Sequence, residues 1–267
     1  METPKDLRLA VLIDADNISY SNIKAMMEEI AKYGTPTFKR IYGDWTKPTL
    51  AGWKTVLLEN AISPVQQYSY TIGKNSSDSA LIIDAMDILY TGRVDGFCII
   101  SSDSDFTRLA TRLREAGMKV IGIGEKKTPP AFISSCNKFI YLEILKTETQ
   151  PAPLKTTTIK TAAKTPRPTV STIDKELTKL IAGSINDIAE EDGWVFLGVL
   201  GNLILKKQPD FDPRNYGYKK LIDLIKDIPE FELDERATGK NNVSHIYVRT
   251  KDNSSNSRFG TQKHLRR

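Results

Sequence analysis

The stretch from Phe97 to Gly124 constrains the fold most, because it contains a strand, a helix and a second strand with two acids at the first junction. Phe97-Cys98-Ile99-Ile100 has no polar alternation and so predicts a strand buried on both faces. Asp103 and Asp105 then bracket Ser104, and Phe106, Leu109, Ala110 and Leu113 follow at the i, i+3, i+4, i+7 spacing of an amphipathic helix. After Gly117, Met118–Ile123 predicts the second strand, which the handedness of strand–helix–strand units makes parallel to the first. Ligands bind open parallel sheets at the carboxyl ends of the strands, where these acids lie. Helix capping explains one acid at such a junction. A second one adds like-charge repulsion that helix stability does not require.

The same arrangement stands at the start of the chain. Arg8–Ile13 predicts a buried strand that ends in Asp14-Ala15-Asp16-Asn17, with Asp16 or Asn17 available to cap a helix through Ile23, Met26, Met27 and Ile30. Strands at Thr37–Tyr42 and Val65–Tyr70 flank a helix through Trp53, Val56, Leu57 and Leu58, giving the alternation of a doubly wound α/β sheet. Asp78 precedes Leu81, Ile82, Ala85 and Leu89 at i+3, i+4, i+7 and i+11, which puts its carboxylate on the buried side of a helix N-terminus. An unpaired carboxylate there is costly, so a cation or a basic group is expected beside it; the alternative is a simple N-cap. Asp84 lies partly on the same side and Asp87 farther round. A helix starting at Pro129 or Pro130 and a strand at Lys138–Tyr141 complete the sheet. Gly122 and Gly124 lack the third glycine of a dinucleotide fingerprint, and no P-loop is present.

Charge divides the chain further. Seventeen basic residues balance seventeen acidic ones in 1–145, eleven face fourteen in 171–249, and 146–170 and 250–267 each hold five basic residues against one acidic. These two basic stretches are rich in Thr, Pro, Ser and Lys, and they predict a flexible linker and a disordered tail, suited to a polyanion or simply to solubility. Between them, residues 171–249 predict helices over Ile173–Ile188, from Trp194 through Leu205 and over Tyr216–Ile228, then a two-stranded wing from Phe231–Leu233 and Ser244–Arg249. Three helices and a wing suggest a small winged helix-turn-helix module whose net acidity argues against strong duplex-DNA binding. No run is long enough to span a bilayer and the N-terminus lacks signal-peptide character, so a cytoplasmic protein is expected. Two cysteines make neither a disulfide framework nor a zinc motif. Both histidines, His245 and His264, lie near the C-terminus, so hydrolysis by the first half must rest on carboxylates and a bound metal.

The segments VLIDADNIS, KNSSDSALIIDAMDILY and IISSDSDFTRLATRLREAGMKVIGIGEKKTPPAF together resemble the NYN domain of the LabA-like group, a branch of the PIN-like nucleases. DGWVFLGVLGNLI and NYGYKKLIDLI are similar to the OST-HTH (LOTUS) domain, a winged-helix module associated with RNA. The first resemblance implies a site for Mg²⁺ or Mn²⁺ formed by Asp14, Asp78, Asp103 and Asp105, with Asn17 as a polar helper. Oxygen donors without histidine suit such hard cations. Lys74 and Arg108 are candidates for phosphate contact. The expected function is metal-dependent cleavage of single-stranded or structured RNA, with the C-terminal module capturing RNA through aromatics such as Trp194 or Tyr216; a homodimer is compatible with this reading. The alternatives are a non-catalytic RNA-binding adaptor that retains the pocket, and a phosphohydrolase using Asp14 as nucleophile. For the latter, DAD resembles the DxD of haloacid-dehalogenase enzymes but lacks the Thr that follows it.

Overall fold

A computed structural model describes residues 6–68, 76–147, 171–237 and 244–251. By its internal contacts the chain divides into two units, 1–171 together with 205–217, and 172–204 together with 218–267. Among the described residues, no helix is long and apolar enough to cross a membrane.

The first unit is built on a six-stranded, all-parallel sheet of β1 (Arg8–Asp14), β2 (Thr35–Gly43), β3 (Ser63–Gln66), β4 (Gly96–Ile100), β5 (Lys119–Gly124) and β6 (Lys138–Tyr141), in the order β3-β2-β1-β4-β5-β6. β1 and β4 have near-continuous apolar runs because helices cover both faces. Leu9, Val11 and Ile13 pack against α1 (Ile23–Ile30), α2 (Trp53–Glu59) and α6 (Leu142–Thr147), while Ala10 and Leu12 face α3 (Ser76–Tyr90), α4 (Thr107–Glu115) and α5 (Pro130–Ser135) on the other side. Gly122 serves packing: a Cβ there would stand 2.5 Å from the Phe139 ring.

The expected α/β fold is observed, with local differences. The third strand starts earlier, taking in Ser63 and Pro64, and ends at Gln66. Pro64 is tolerated because β3 is an edge strand. Tyr70, the expected end of that strand, lies outside the described residues, as does Lys74. Neither Asp16 nor Asn17 caps a helix; Ser19 does, accepting from the Ser21 N–H at the start of a short 3₁₀ turn ahead of α1. Asp84 proves to be a structural acid, paired with the Arg40 guanidinium and the Tyr42 hydroxyl of β2.

Residues 205–217 complete the first unit along the free edge of β6. Phe139 donates its N–H to the Pro209 carbonyl (2.8 Å) and the Tyr141 hydroxyl donates to Asp210 (2.7 Å). Arg214 lies between Asp212 and the buried Glu29 of α1, at 2.9 and 2.7 Å. Burial alone would raise the Glu29 pKa, but hydrogen bonds from Arg214 and Lys32 prevail and lower it to about 2.

The second unit contains α7 (Lys175–Ile188, capped by Asp174), β7 (Val195–Phe196), α8 (Leu197–Lys207, whose last turn is counted with the first unit), α9 (Leu221–Lys226), β8 (Phe231–Ala237) and β9 (Ser244–Thr250). The helix expected over Tyr216–Ile228 is confined to Leu221–Lys226, because Gly217 adopts a left-handed φ of 86° that closes a 3₁₀ turn and ends any continuous helix. The wing has three strands rather than two, in the order β7-β9-β8, since Val195 and Phe196 pair with Val248 and Tyr247. Most of the expected linker and tail lies outside the described residues; Lys146 and Thr147 are helical and Thr250 ends β9.

Arg214→Ala leaves Glu29 buried with Lys32 as its remaining basic partner and is expected to cost about 2–4 kcal/mol at pH 7 by urea denaturation. A depressed carboxylate pKa contributes stability above the unfolded value and loses it as pH falls through the folded one, so the difference from the parent should narrow between about pH 4 and 2.

Candidate active site

The sheet winds in opposite directions from its centre: β1 leads outward to β2 and β3, and β4 to β5 and β6. Ile13 pairs with Ile100, so the chain leaves β1 at Asp14 and β4 at Ser101 side by side. α1 goes to one face and α4 to the other, leaving a crevice between the two departures. Asp14 lies at its floor and is 1 % exposed. Its Oδ2 accepts from Asn17 Nδ2 (2.5 Å) and from Ser101 Oγ (2.8 Å), and its Oδ1 from the Asp16 N–H (3.1 Å).

Ser101 Oγ also accepts from the Asp103 N–H (3.1 Å), coupling Asp14 to the next loop. Asp103 is the extended residue that caps a short 3₁₀ turn, accepting from the Asp105 N–H at 3.0 Å. Capping is therefore part of its role, and it still meets the other acids. Asp78 lies in the first turn of α3, where the helix dipole favours an anion. One carboxylate oxygen from each of Asp78, Asp103 and Asp105 lies within 4.8 Å of the others, with Asp78 buried, Asp103 half-buried and Asp105 exposed. Asp14 adjoins this trio through Ser101 and is not one of the three. Asp16 is held at the margin by Ser77 Oγ (3.3 Å) and Lys47 Nζ (3.4 Å). Arg108 is exposed on α4.

Burial, followed by the charges of Asp14, Asp103 and Asp105, pushes the Asp78 pKa up to about 6. Burial also raises that of Asp14, and the three hydrogen bonds recover only part of the cost. The trio is thus an all-oxygen donor set under electrostatic strain, half open to solvent, and it fits a hard divalent cation that keeps some of its waters. Asp14 is too enclosed to act as a phosphate-accepting nucleophile. Ser101 is the residue that the sequence reading missed; its signal was a serine directly after the buried strand in IISSDSD.

In metal-free buffer at pH 7.5, Asp78→Asn is expected to be more stable than the parent by on the order of 1–2 kcal/mol. A raised carboxyl pKa withdraws stability as pH rises through about 6, so the advantage should vanish below about pH 4; paired urea titrations in EDTA at the two pH values would reveal it. An advantage independent of pH would mean that Asp78 carries no such strain.

The NYN domain family model matches residues 8–143 and the OST-HTH/LOTUS domain model matches 168–243. A search of curated proteins finds no match. Among solved structures, a Vibrio parahaemolyticus protein of unknown function is 19 % identical, with 52 % of this chain and 94 % of that one covered at a TM-score of 0.43. An uncharacterised Nitrosomonas europaea protein is 29 % identical over 43 % of this chain and 100 % of its own, with a TM-score of 0.28. A Chromobacterium violaceum protein fragment, residues 175–257, is 24 % identical over 33 % and 95 %, with a TM-score of 0.26. With more than half its length matched, and with the parallel sheet that places the acids at one edge, the chain belongs to the NYN domain family and carries an OST-HTH/LOTUS domain after it.

Proposed function

We propose that this protein is a ribonuclease dependent on Mg²⁺ or Mn²⁺, with the NYN domain (1–145) cleaving and the OST-HTH/LOTUS domain (171–249) capturing RNA. The observation that carries the reading is the convergence of Asp78, Asp103 and Asp105 within 4.8 Å at the switch point of a PIN-like sheet. These three carboxylates would hold the cation. When bound, the metal supplies a water of lowered pKa and stabilises charge on the attacked phosphate. Asp14 adds negative charge behind the trio and, through Ser101, fixes the loop that carries Asp103 and Asp105. Asn17 keeps Asp14 oriented by donating to the oxygen that Ser101 also uses. Asp103 has two tasks, fixing the turn that presents Asp105 and offering its own carboxylate to the metal.

Labelled single-stranded RNA incubated with the full chain and Mn²⁺ should be cleaved, and EDTA should abolish cleavage. Asp103→Asn should lower the rate by at least roughly 100-fold, and Ser101→Ala, which removes a positioning contact, by roughly 10- to 100-fold with recovery in Ser101→Thr. RNA binding without acid-dependent cleavage under either ion would instead establish a non-catalytic adaptor.

A further inference from the structure

The pleat of the β7-β9-β8 sheet divides its side chains into two sets. Val195, Val248 and Phe231 are buried within the second unit. On the opposite face the register aligns Phe196 with Tyr247, Arg236 with His245, Asp234 with Tyr247 and Glu232 with Arg249. Phe196 is 37 % exposed and packs 4.9 Å from the His245 ring and 5.9 Å from that of Tyr247. The Arg236 guanidinium lies over Tyr247 (4.3 Å) and Trp194 (5.3 Å), and Arg249 over Trp194 (4.6 Å). Asp234 and Glu232 pair with the two arginines.

Cross-strand stability explains aromatic–arginine pairs but does not require so many planar groups on the solvent side of one small sheet. A buried counterpart of the same rings would be apolar throughout; here the guanidiniums and carboxylates remain partly in water, with Arg236 41 % and Arg249 42 % exposed. The acids neutralise the arginines, so this face attracts phosphate only weakly, whereas rings and guanidinium planes accept flat bases by stacking. Bases are available for stacking in single strands and not in duplexes.

We infer that this face of the three-stranded sheet binds unpaired bases of single-stranded RNA by stacking on Phe196, His245 and Tyr247, with Arg236 and Arg249 extending the platform. The inference rests on the reading of the protein as an RNA enzyme and locates the capture surface. It assigns recognition to base faces, so affinity from this surface is nearly independent of salt.

The test uses the full chain carrying Asp103→Asn, with fluorescence anisotropy on a labelled twelve-nucleotide single-stranded RNA and on the same sequence as a duplex. Adding Phe196→Ser with His245→Ser, both at exposed positions, should weaken single-strand binding roughly tenfold, by the same factor at low and high salt, with little change for the duplex. Phe196→Tyr with His245→Tyr should retain binding. In the cleavage-competent chain the serine pair should raise KM and leave kcat unchanged. A parent that binds RNA and a folded serine variant that binds it equally well would overturn the sheet-face proposal alone and leave the face to a protein partner. A parent with no RNA affinity would overturn the functional reading and this proposal with it.

Discussion

The parallel pairing of β1 with β4 is the contact on which the rest of the first unit depends. It joins two halves that wind in opposite directions, so the segments leaving the two strands go to opposite faces and neither can fill the space between them. Such a gap at the carboxyl edge of a parallel sheet is open to water and bordered by helix starts, both of which favour anionic side chains. Asp14 and Ser101 emerge there in register, and the Ser101 hydroxyl ties Asp14 to the loop that carries Asp103 and Asp105.

Gathering carboxylates in one place is unfavourable, and the protein distributes the cost. The most enclosed, Asp14, has three hydrogen-bond donors; Asp103 accepts a backbone N–H; Asp105 reaches solvent; and Asp78 has a helix N-terminus. What remains unbalanced falls chiefly on Asp78, which burial and its neighbours push toward neutrality. Strain of this kind is common where a fold keeps a cation site ready, because the ion supplies the missing positive charge. The Asp84–Arg40–Tyr42 cluster is the contrasting case: one acid, one guanidinium and one hydroxyl satisfy one another and leave nothing to bind.

In the second unit the alternation of the strands divides the side chains into a core set and an outer set. Val195 and Val248 belong to the core, and their neighbours Phe196 and Tyr247 form a ring-rich outer face. Because side chains alternate with period two, a one-residue slip in β9 would exchange the two sets. The Val195–Val248 pairing therefore fixes the outer face as well as the core.

The α/β class, the strands that run into Asp14 and Ser101 and the helix positions of Asp78, Leu109 and Leu113 were legible because apolar runs and helical spacing are local signals. The resemblance carried by KNSSDSALIIDAMDILY and IISSDSDF extended that reading to the family. Local signals failed where one backbone angle overrode a pattern: Gly217 at positive φ cut short the helix expected from Tyr216. They also failed where pairing was long-range, as in the recruitment of Val195 and Phe196 into a third strand of the wing. The sequence by itself determined the α/β alternation of the first unit and the acids that stand at its strand ends, since these follow from short-range periodicity and the hydrogen-bonding needs of helix starts. Only the tertiary structure decided that β1 lies beside β4, that Asp78, Asp103 and Asp105 form the trio while Asp14 adjoins it through Ser101, and that Asp84 is neutralised by Arg40, because those outcomes depend on strand order and on distances between segments far apart in the chain.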